Sequence, residues 1–169
     1  MLKGITAEYL LHRAYPIKKG DKVLYHAAAG GVGQILCQWA NALGAEVIGT
    51  VGSKEKEAIA KKNGCHHVIN YTDTNFVEEV EKIAGKNGVD VVYDGVGIKT
   101  FEGSIETLKV RGMMVAFGNA SGYVDTIDVK KHINAKGLFF TRPSIAHYTM
   151  TREELVESAK KVFDAILSG

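Results

Sequence analysis

Residues 22–54 read KVLYHAAAGGVGQILCQWANALGAEVIGTVGSK, and this stretch decides the fold. The apolar run 22–27 predicts a short strand, and residues 33–43 place apolar side chains at helical spacing. Residues 46–50 predict a second strand. A turn of small residues, 28–33, joins the first strand to the helix. The order of strand, small-residue turn, helix and strand is typical of a unit that binds a dinucleotide.

The rest of the chain continues this alternation of short strands and helices. Four further apolar strands are predicted, at residues 67–70, 89–94, 113–117 and 137–140. Helices are predicted at residues 5–14, 53–63, 76–84, 98–109 and 151–167. Six apolar strands separated by helices indicate a parallel sheet that is covered on both faces. The sequence therefore predicts an α/β fold with a doubly wound six-stranded parallel sheet, the Rossmann fold, formed by residues 1–169 as one domain.

Composition narrows the class of protein before any motif is considered. The chain has 169 residues and a formal net charge of +2, so no strong basic field favours nucleic acid. No apolar run approaches the ~18 residues of a membrane span. Cys37 and Cys65 are far apart in sequence, and two lone thiols fit a reducing compartment. These features predict a cytoplasmic protein that binds neither membranes nor nucleic acid.

The turn between the first strand and the helix has the spacing of a phosphate loop. Ala28 to Gly33 follows the G-x-G-x-x-G pattern, with alanine in the first position. Gly30 lets the backbone approach a pyrophosphate, and Gly33 lets the helix pack closely on the strand. Gly31 and Val32 offer backbone N–H groups at the helix N-terminus, where an anion is favoured. A plain strand-to-helix turn is the alternative, but the surrounding βαβ pattern favours cofactor binding.

The end of the second strand lacks the acid that usually holds the ribose of NAD. Glu46 begins that strand and so lies at the opposite edge of the sheet. Gly52, Ser53, Lys54 and Lys56 follow the strand instead. A hydroxyl and a lysine suit a 2′-phosphate, which a carboxylate would repel, so NADPH is favoured over NADH. In the alternative interpretation, Ser53 only caps the helix and the lysines are solvated.

Several motifs together resemble one family. The stretches HAAAGGVG, CQWANALGAEVIGTVGS, VINY, VVYDGVG, MMVAFGNASG and TRPS are similar to those of NADPH:quinone oxidoreductases. These enzymes form the zeta-crystallin-like branch of the medium-chain dehydrogenase/reductase superfamily. The resemblance covers nearly the whole chain. It implies an enzyme that transfers reducing equivalents from NADPH to a quinone.

The resemblance also implies which residues contact the cofactor. The pyrophosphate would be held by Gly30, Gly31 and Val32. The adenosine and its 2′-phosphate would be held by Gly52, Ser53, Lys56 and Tyr71. The nicotinamide side would be formed by Phe117, Gly118, Asn119, Ser121, Phe140, Thr141 and Arg142. Structural roles stay open for three of these: Tyr71 as a strand-end aromatic, Phe117 as sheet core, and Arg142 as a surface or subunit-contact charge.

The family resemblance leaves part of the expected enzyme unaccounted for. Family members have a barrel-like domain ahead of the nucleotide fold, and the motifs here match only the cofactor domain. We therefore expect NADPH binding with weak or no turnover by this chain alone, since one wall of the substrate cleft is missing. No general acid or nucleophile is nominated, and no Cys or His cluster predicts a metal, in keeping with a zinc-independent family.

Two other functions stay open, as does the oligomeric state. The chain could be the cofactor domain of another NADPH-dependent alkenal or enoyl reductase, or a structural or RNA-associating module like some zeta-crystallins. The apolar segment 137–140 predicts an edge strand, and exposed edge strands tend to pair with a partner. A homodimer that forms through this segment is therefore expected.

Overall fold

A six-stranded sheet forms the centre of the computed structural model, which describes residues 1–168. The strands lie in the order β3-β2-β1-β4-β5-β6, and all neighbouring pairs are parallel. Their bounds are β1 Lys22–His26, β2 Glu46–Val51, β3 His67–Asn70, β4 Val89–Asp94, β5 Leu108–Ala116 and β6 Phe139–Thr141. This order reverses direction between β1 and β4, as in a doubly wound sheet, so the predicted fold class is confirmed.

Helices cover both faces of this sheet. The α-helices are α1 Leu2–Tyr9, α2 Gly33–Ala42, α3 Lys54–Lys62, α4 Phe76–Ala84, α5 Phe101–Thr107, α6 Ile145–Tyr148 and α7 Arg152–Ser168. Two π-helical segments, Leu10–Ala14 and Val129–Asn134, complete the secondary structure of the described residues. Among residues 1–168, no helix combines the length and the apolar character that crossing a bilayer requires.

Alternating side chains of the strands pack into two separate hydrophobic cores, one on each face of the sheet. Val23 and Tyr25 of β1 lie in one core with α1, α2 and Ala60 of α3. Leu24 of the same strand lies in the other core, with Val80 of α4 and Ile105 of α5. Successive residues of a strand point to opposite faces, and both faces here are buried. This explains why the strands are continuously apolar in sequence rather than alternating.

Capping residues set the starts of two helices as the sequence predicts. The Ser53 hydroxyl accepts a hydrogen bond from Lys56 N–H at 3.4 Å, at the N-terminus of α3. Before α7, Thr151 Oγ1 accepts from Glu154 N–H, and the Glu154 carboxylate accepts from Thr151 N–H, both at 3.2 Å. This reciprocal pair is a capping box. It satisfies donors that the first turn of α7 leaves free.

Several predicted boundaries are wrong. The predicted helix 98–109 covers only Phe101–Thr107, because the chain becomes extended at Leu108, where β5 begins. The strand predicted at 113–117 begins at Leu108, and its early part is irregular: Arg111 has a φ of +62°, and the register with β4 shifts between Val89 and Val91. Such a bulge hides the early part of a strand from a pattern search.

Smaller differences lie at the two ends of the chain. The leading helix, expected at 5–14, begins at Leu2 and passes into the π-helical segment at Leu10. The sixth strand covers 139–141 rather than 137–140, because Gly137 has a φ of +57° and cannot continue an extended strand. Helix α6 and the segment Val129–Asn134 have no counterpart among the predicted elements.

Candidate cofactor-binding site

The phosphate loop lies where β1 meets its two neighbours, β2 and β4. Ala27 leaves the end of β1 with a φ of +61°, and its carbonyl oxygen accepts a hydrogen bond from Gly30 N–H at 2.8 Å. A Cβ atom on Gly33 would lie 2.6 Å from Ala28 O, so α2 can pack this closely on the turn only without a side chain there. In a doubly wound sheet, ligands bind at this point of strand reversal.

Two backbone donors of the loop have no acceptor. Within residues 1–168, neither Gly31 N–H nor Val32 N–H donates a hydrogen bond, and Gly33 begins α2 directly after them. Free N–H groups at the amino end of a helix favour an anion, because the aligned peptide dipoles add partial positive charge there. The loop therefore has the donors that a pyrophosphate accepts from.

The residues predicted for the adenosine side come together at the end of β2. A Cβ atom on Gly52 would lie 2.5 Å from the hydroxyl oxygen of Tyr71, so the tyrosine lies directly against this glycine. Tyr71 is 47% exposed, so part of the residue is accessible to a ligand. Ser53 caps α3 from the same turn, and the exposed Lys56 stands in the first turn of α3. The position of Ser53 thus fits both interpretations, a helix cap and a contact to the 2′-phosphate.

Four residues predicted for the nicotinamide side line a single cavity. Gly118, Asn119, Phe140 and Arg142 surround about 90 Å³ of space beside the ends of β4, β5 and β6. Arg142 donates a hydrogen bond from Nη1 to Ala116 O at 2.7 Å, which holds its guanidinium at the cavity. The guanidinium carbon also lies 5.9 Å from the ring centroid of Tyr123, a residue that the sequence analysis did not select.

The other three residues on this side make supporting contacts. Phe117 packs on Gly95, where a Cβ atom would lie 2.9 Å from the phenyl ring, and its centroid is 6.0 Å from that of Tyr25. Ser121 donates from its hydroxyl to Val96 O at 2.8 Å. Thr141 pairs with Val115 in the sheet. The contacts of Phe117 and Ser121 join the loop after β5 to the loop after β4, and the pairing of Thr141 holds β6 against β5.

A buried polar network connects the ends of β1, β2 and β4 beneath the loops. His26 is fully buried, with Nδ1 2.9 Å from Thr50 Oγ1 and Nε2 2.9 Å from Ser104 Oγ. Asp94, 1% exposed, accepts from Val96 N–H and Gly97 N–H on Oδ1, and from the hydroxyls of Thr100 and Ser104 on Oδ2. The network was missed because its members are distant in sequence.

Burial controls the protonation of His26. Loss of hydration lowers the pKa of the imidazole, and the charge of Asp94 offsets part of that effect. The Ser104 hydroxyl donates to an oxygen of Asp94 or Thr100, so its own oxygen is free to accept from His26. The neutral ring therefore carries its proton on Nε2, and Nδ1 accepts from the Thr50 hydroxyl.

Comparison with known proteins identifies the family. Residues 31–167 match the family described as zinc-binding dehydrogenase. The chain belongs to the zinc-binding dehydrogenase family. Its relatives include 2-haloacrylate reductase from Burkholderia sp, 51% identical over all of this chain and 51% of the relative. Quinone oxidoreductase 1 from Escherichia coli strain K12 is 50% identical over 99% of this chain and 51% of the relative. The resemblance to quinone oxidoreductases is thereby confirmed.

The fold of this zinc-binding dehydrogenase family member also matches that of a solved structure. The E. coli quinone oxidoreductase complexed with NADPH superposes with a TM-score of 0.95 and 49% identity. That match covers 100% of this chain and 52% of the solved chain. The chain thus spans about half the length of the relatives it matches.

The residues of this zinc-binding dehydrogenase family member do not fit a zinc centre. Across residues 1–168, no three Cys, His, Asp or Glu side chains converge on a common point. Both ring nitrogens of His26 are engaged, His66 Nδ1 accepts from Val47 N–H at 3.0 Å, and His67 Nε2 lies 3.0 Å from Glu46. A zinc site needs three or four free ligands in one place. Zinc independence of the protein stays a prediction.

Proposed function

We propose that this chain is the NADPH-binding half of an oxidoreductase that transfers reducing equivalents from NADPH to a quinone. The observation that carries the proposal is the pair of free donors, Gly31 N–H and Val32 N–H, at the amino end of α2. The predicted cofactor is confirmed for the family, since the E. coli relative was solved with NADPH. Because the chain spans about half of its relatives, the activity of the whole protein belongs to the proposal.

The loop and the end of β2 supply the groups that would hold the phosphates. Gly30, Gly31 and Val32 would receive the pyrophosphate, because the two glycines have no side chain of their own and the helix dipole favours the anion. Gly52, Ser53, Lys56 and Tyr71 would surround the adenosine and its 2′-phosphate. Glu46 lies at the other end of β2 in contact with His67 and so cannot repel that phosphate.

The cavity beside β5 and β6 would receive the nicotinamide side. When bound, the cofactor supplies a hydride for the reduction. The roles proposed for this chain are binding and orientation by Gly118, Asn119 and Arg142, with Phe140 excluding water from the reacting face. Phe117, Ser121 and Thr141 would keep the cavity wall in place through the contacts described above.

The class of electron acceptor is the finer part of the proposal. A quinone is supported by the E. coli relative, and an activated carbon–carbon double bond by the Burkholderia relative, which is named 2-haloacrylate reductase. Both acceptors are flat and conjugated, with a carbon–carbon double bond next to a carbonyl or carboxylate group that withdraws electrons. Steady-state rates with a quinone and with 2-haloacrylate, measured on a protein that contains this chain at its relatives' length, discriminate between the two.

Dimerisation and location are also proposed. β6 is an edge strand, and its residue Phe139 is 56% exposed, which supports pairing with a second copy along this edge. The two free thiols, Cys37 and Cys65, support a cytoplasmic location, because reducing compartments keep cysteines unpaired.

Calorimetric titration of the 169-residue chain with NADPH and NADH tests the cofactor assignment. We expect NADPH to bind more tightly, because only NADPH has the phosphate that Ser53 and Lys56 would contact. Lys56→Glu should weaken NADPH by about tenfold or more, through loss of one ion pair and gain of one repulsion. NADH should be little affected. Lys62→Glu, the same charge change at the other end of α3, is the control. Equal affinities of the unmodified chain for NADPH and NADH would contradict the assignment of Ser53 and Lys56 to the 2′-phosphate.

A further inference from the structure

Lys3 lies against the phosphate loop, although no sequence motif marks it. A Cβ atom built on Gly31 would lie 2.5 Å from both Nζ and Cε of Lys3. The lysine side chain therefore passes directly over the α-carbon of Gly31. Lys3 is exposed, and its ammonium forms no ion pair with any acid among residues 1–168.

The position of Lys3 is fixed by the packing of α1. Its neighbour Gly4 is buried, and a Cβ atom there would lie 2.8 Å from Cγ1 of Val162 in α7. Ile5, the next residue, is 2% exposed. The backbone that carries Lys3 is thus held on a packed helix, and only its side chain reaches across to the loop.

This arrangement places two positive groups beside each other. The amino end of α2 carries partial positive charge, and the N–H groups of Gly31 and Val32 have no acceptor in the described chain. A lysine ammonium beside a helix N-terminus is unfavourable unless an anion lies between them. An anion that accepts from the N–H groups and from Lys3 would remove the repulsion and gain both interactions.

We propose that Lys3 is a further cofactor-binding residue, whose ammonium pairs with the pyrophosphate of the dinucleotide at the 28–33 loop. The proposal rests on the proposed function, because it needs a dinucleotide in that loop. Pyrophosphate is common to NADPH and NADH, so Lys3 strengthens the binding of both cofactors equally. This separates its role from that of Lys56, which would act on the 2′-phosphate alone.

Titrations of three variants of the 169-residue chain test this role. Lys3→Met keeps the length of the side chain and removes its charge, and it should raise the Kd of NADPH and of NADH by the same factor, about tenfold. Lys3→Arg should restore most of the affinity, because guanidinium groups also bind phosphate. Lys86→Met, which removes an exposed charge in the turn after α4, should leave both Kd values unchanged.

Two further measurements separate a charge effect from a structural one. The ratio between the Kd values of Lys3→Met and the unmodified chain should shrink as salt is raised, because ions screen an exposed pair. Inorganic pyrophosphate should compete with NADPH more weakly in Lys3→Met than in the unmodified chain. The unfolding temperature of the cofactor-free variant should not fall below that of the unmodified chain, since Lys3 makes no ion pair with the described residues and its charge lies beside the positive end of α2.

Each failure has its own signature. Unchanged Kd values in Lys3→Met for both cofactors would overturn the role of Lys3 while leaving the proposed function intact. Weakening of NADPH alone would also overturn it, because the contact would then be with the 2′-phosphate. An unmodified chain that binds neither dinucleotide would overturn the proposed function itself, and this inference with it.

Discussion

Asp94→Asn removes one charge at the point where the loops after β4 and β5 meet, and it leaves the side chain almost the same size. The carboxylate accepts four hydrogen bonds at 2.7–3.1 Å, two from backbone N–H groups and two from the hydroxyls of Thr100 and Ser104. In the variant, the amide oxygen can still accept from the N–H groups, but the amide nitrogen faces two hydroxyl donors.

The cost of this substitution follows from the alternatives open to those hydroxyls. A hydrogen bond to a charged group contributes about 1.5–3 kcal/mol, and a neutral one about 1 kcal/mol. The Thr100 hydroxyl can turn to Gly97 O at 3.0 Å and the Ser104 hydroxyl to Thr100 O at 2.8 Å, so neither group becomes orphaned. The loss is therefore about 3 kcal/mol of unfolding free energy rather than the sum of two broken charged bonds. For a chain of this size, that lowers the unfolding temperature by roughly 6–12 °C.

Thermal and urea unfolding of the variant, followed by circular dichroism, measure this loss. Glu81→Gln, which removes an exposed carboxylate, is the matched control and should leave the midpoint unchanged. Ser104→Ala in the Asp94→Asn background should cost less than in the unmodified chain, because the two side chains share one network. An Asp94→Asn variant with an unfolding free energy within about 0.5 kcal/mol of the unmodified chain would refute the reasoning, since surface changes have that size.

Two further predictions concern acidity and association. Burial lowers the pKa of His26 and of His12 below the usual 6.5, so the unfolded chain takes up protons near pH 6.5 while the folded chain does not. Stability should therefore be full above pH 6.5 and decrease as the pH falls below it; urea midpoints that rise on acidification from pH 7 would contradict this. Phe139→Lys should convert a dimer to a monomer in sedimentation, because it places a charge on the exposed edge of β6; an unmodified chain that is monomeric at high concentration would contradict the predicted interface.

Local sequence carried most of the information about the sheet and the phosphate loop. The spacing of Gly30, Gly31 and Gly33 between an apolar strand and an apolar helix depends only on neighbouring residues. The absence of an acid directly after β2 is also a local feature, because it can be read from the residues at that one strand end. Predictions of this kind succeed when the residues that cause a feature lie within one turn or one strand.

The features that were missed depend on distant contacts. Ser104 meets His26 across 78 positions of sequence, and nothing in the helix around Ser104 indicates a buried polar role. Lys3 lies over Gly31 because α1 packs beside the phosphate loop, and no local pattern around Lys3 indicates this contact. Residues 108 and 109 of β5 were assigned to the preceding helix, because the bulge at Arg111 interrupts the regular strand geometry that periodicity detects.

The loops after β4 and β5 are tied together by their backbones as well as by side chains. Ser121 N–H donates to Val96 O at 2.7 Å, and Ile98 N–H donates to Gly122 O at 3.1 Å. A Cβ atom on Gly97 would overlap Gly122 O, so the two segments touch where neither has a side chain. These contacts couple the two segments, so we expect a change that displaces one of them to displace the other. We therefore expect changes of ligand preference at this wall to come from exchanged side chains, because lengthening either segment would break the hydrogen bonds that join the two.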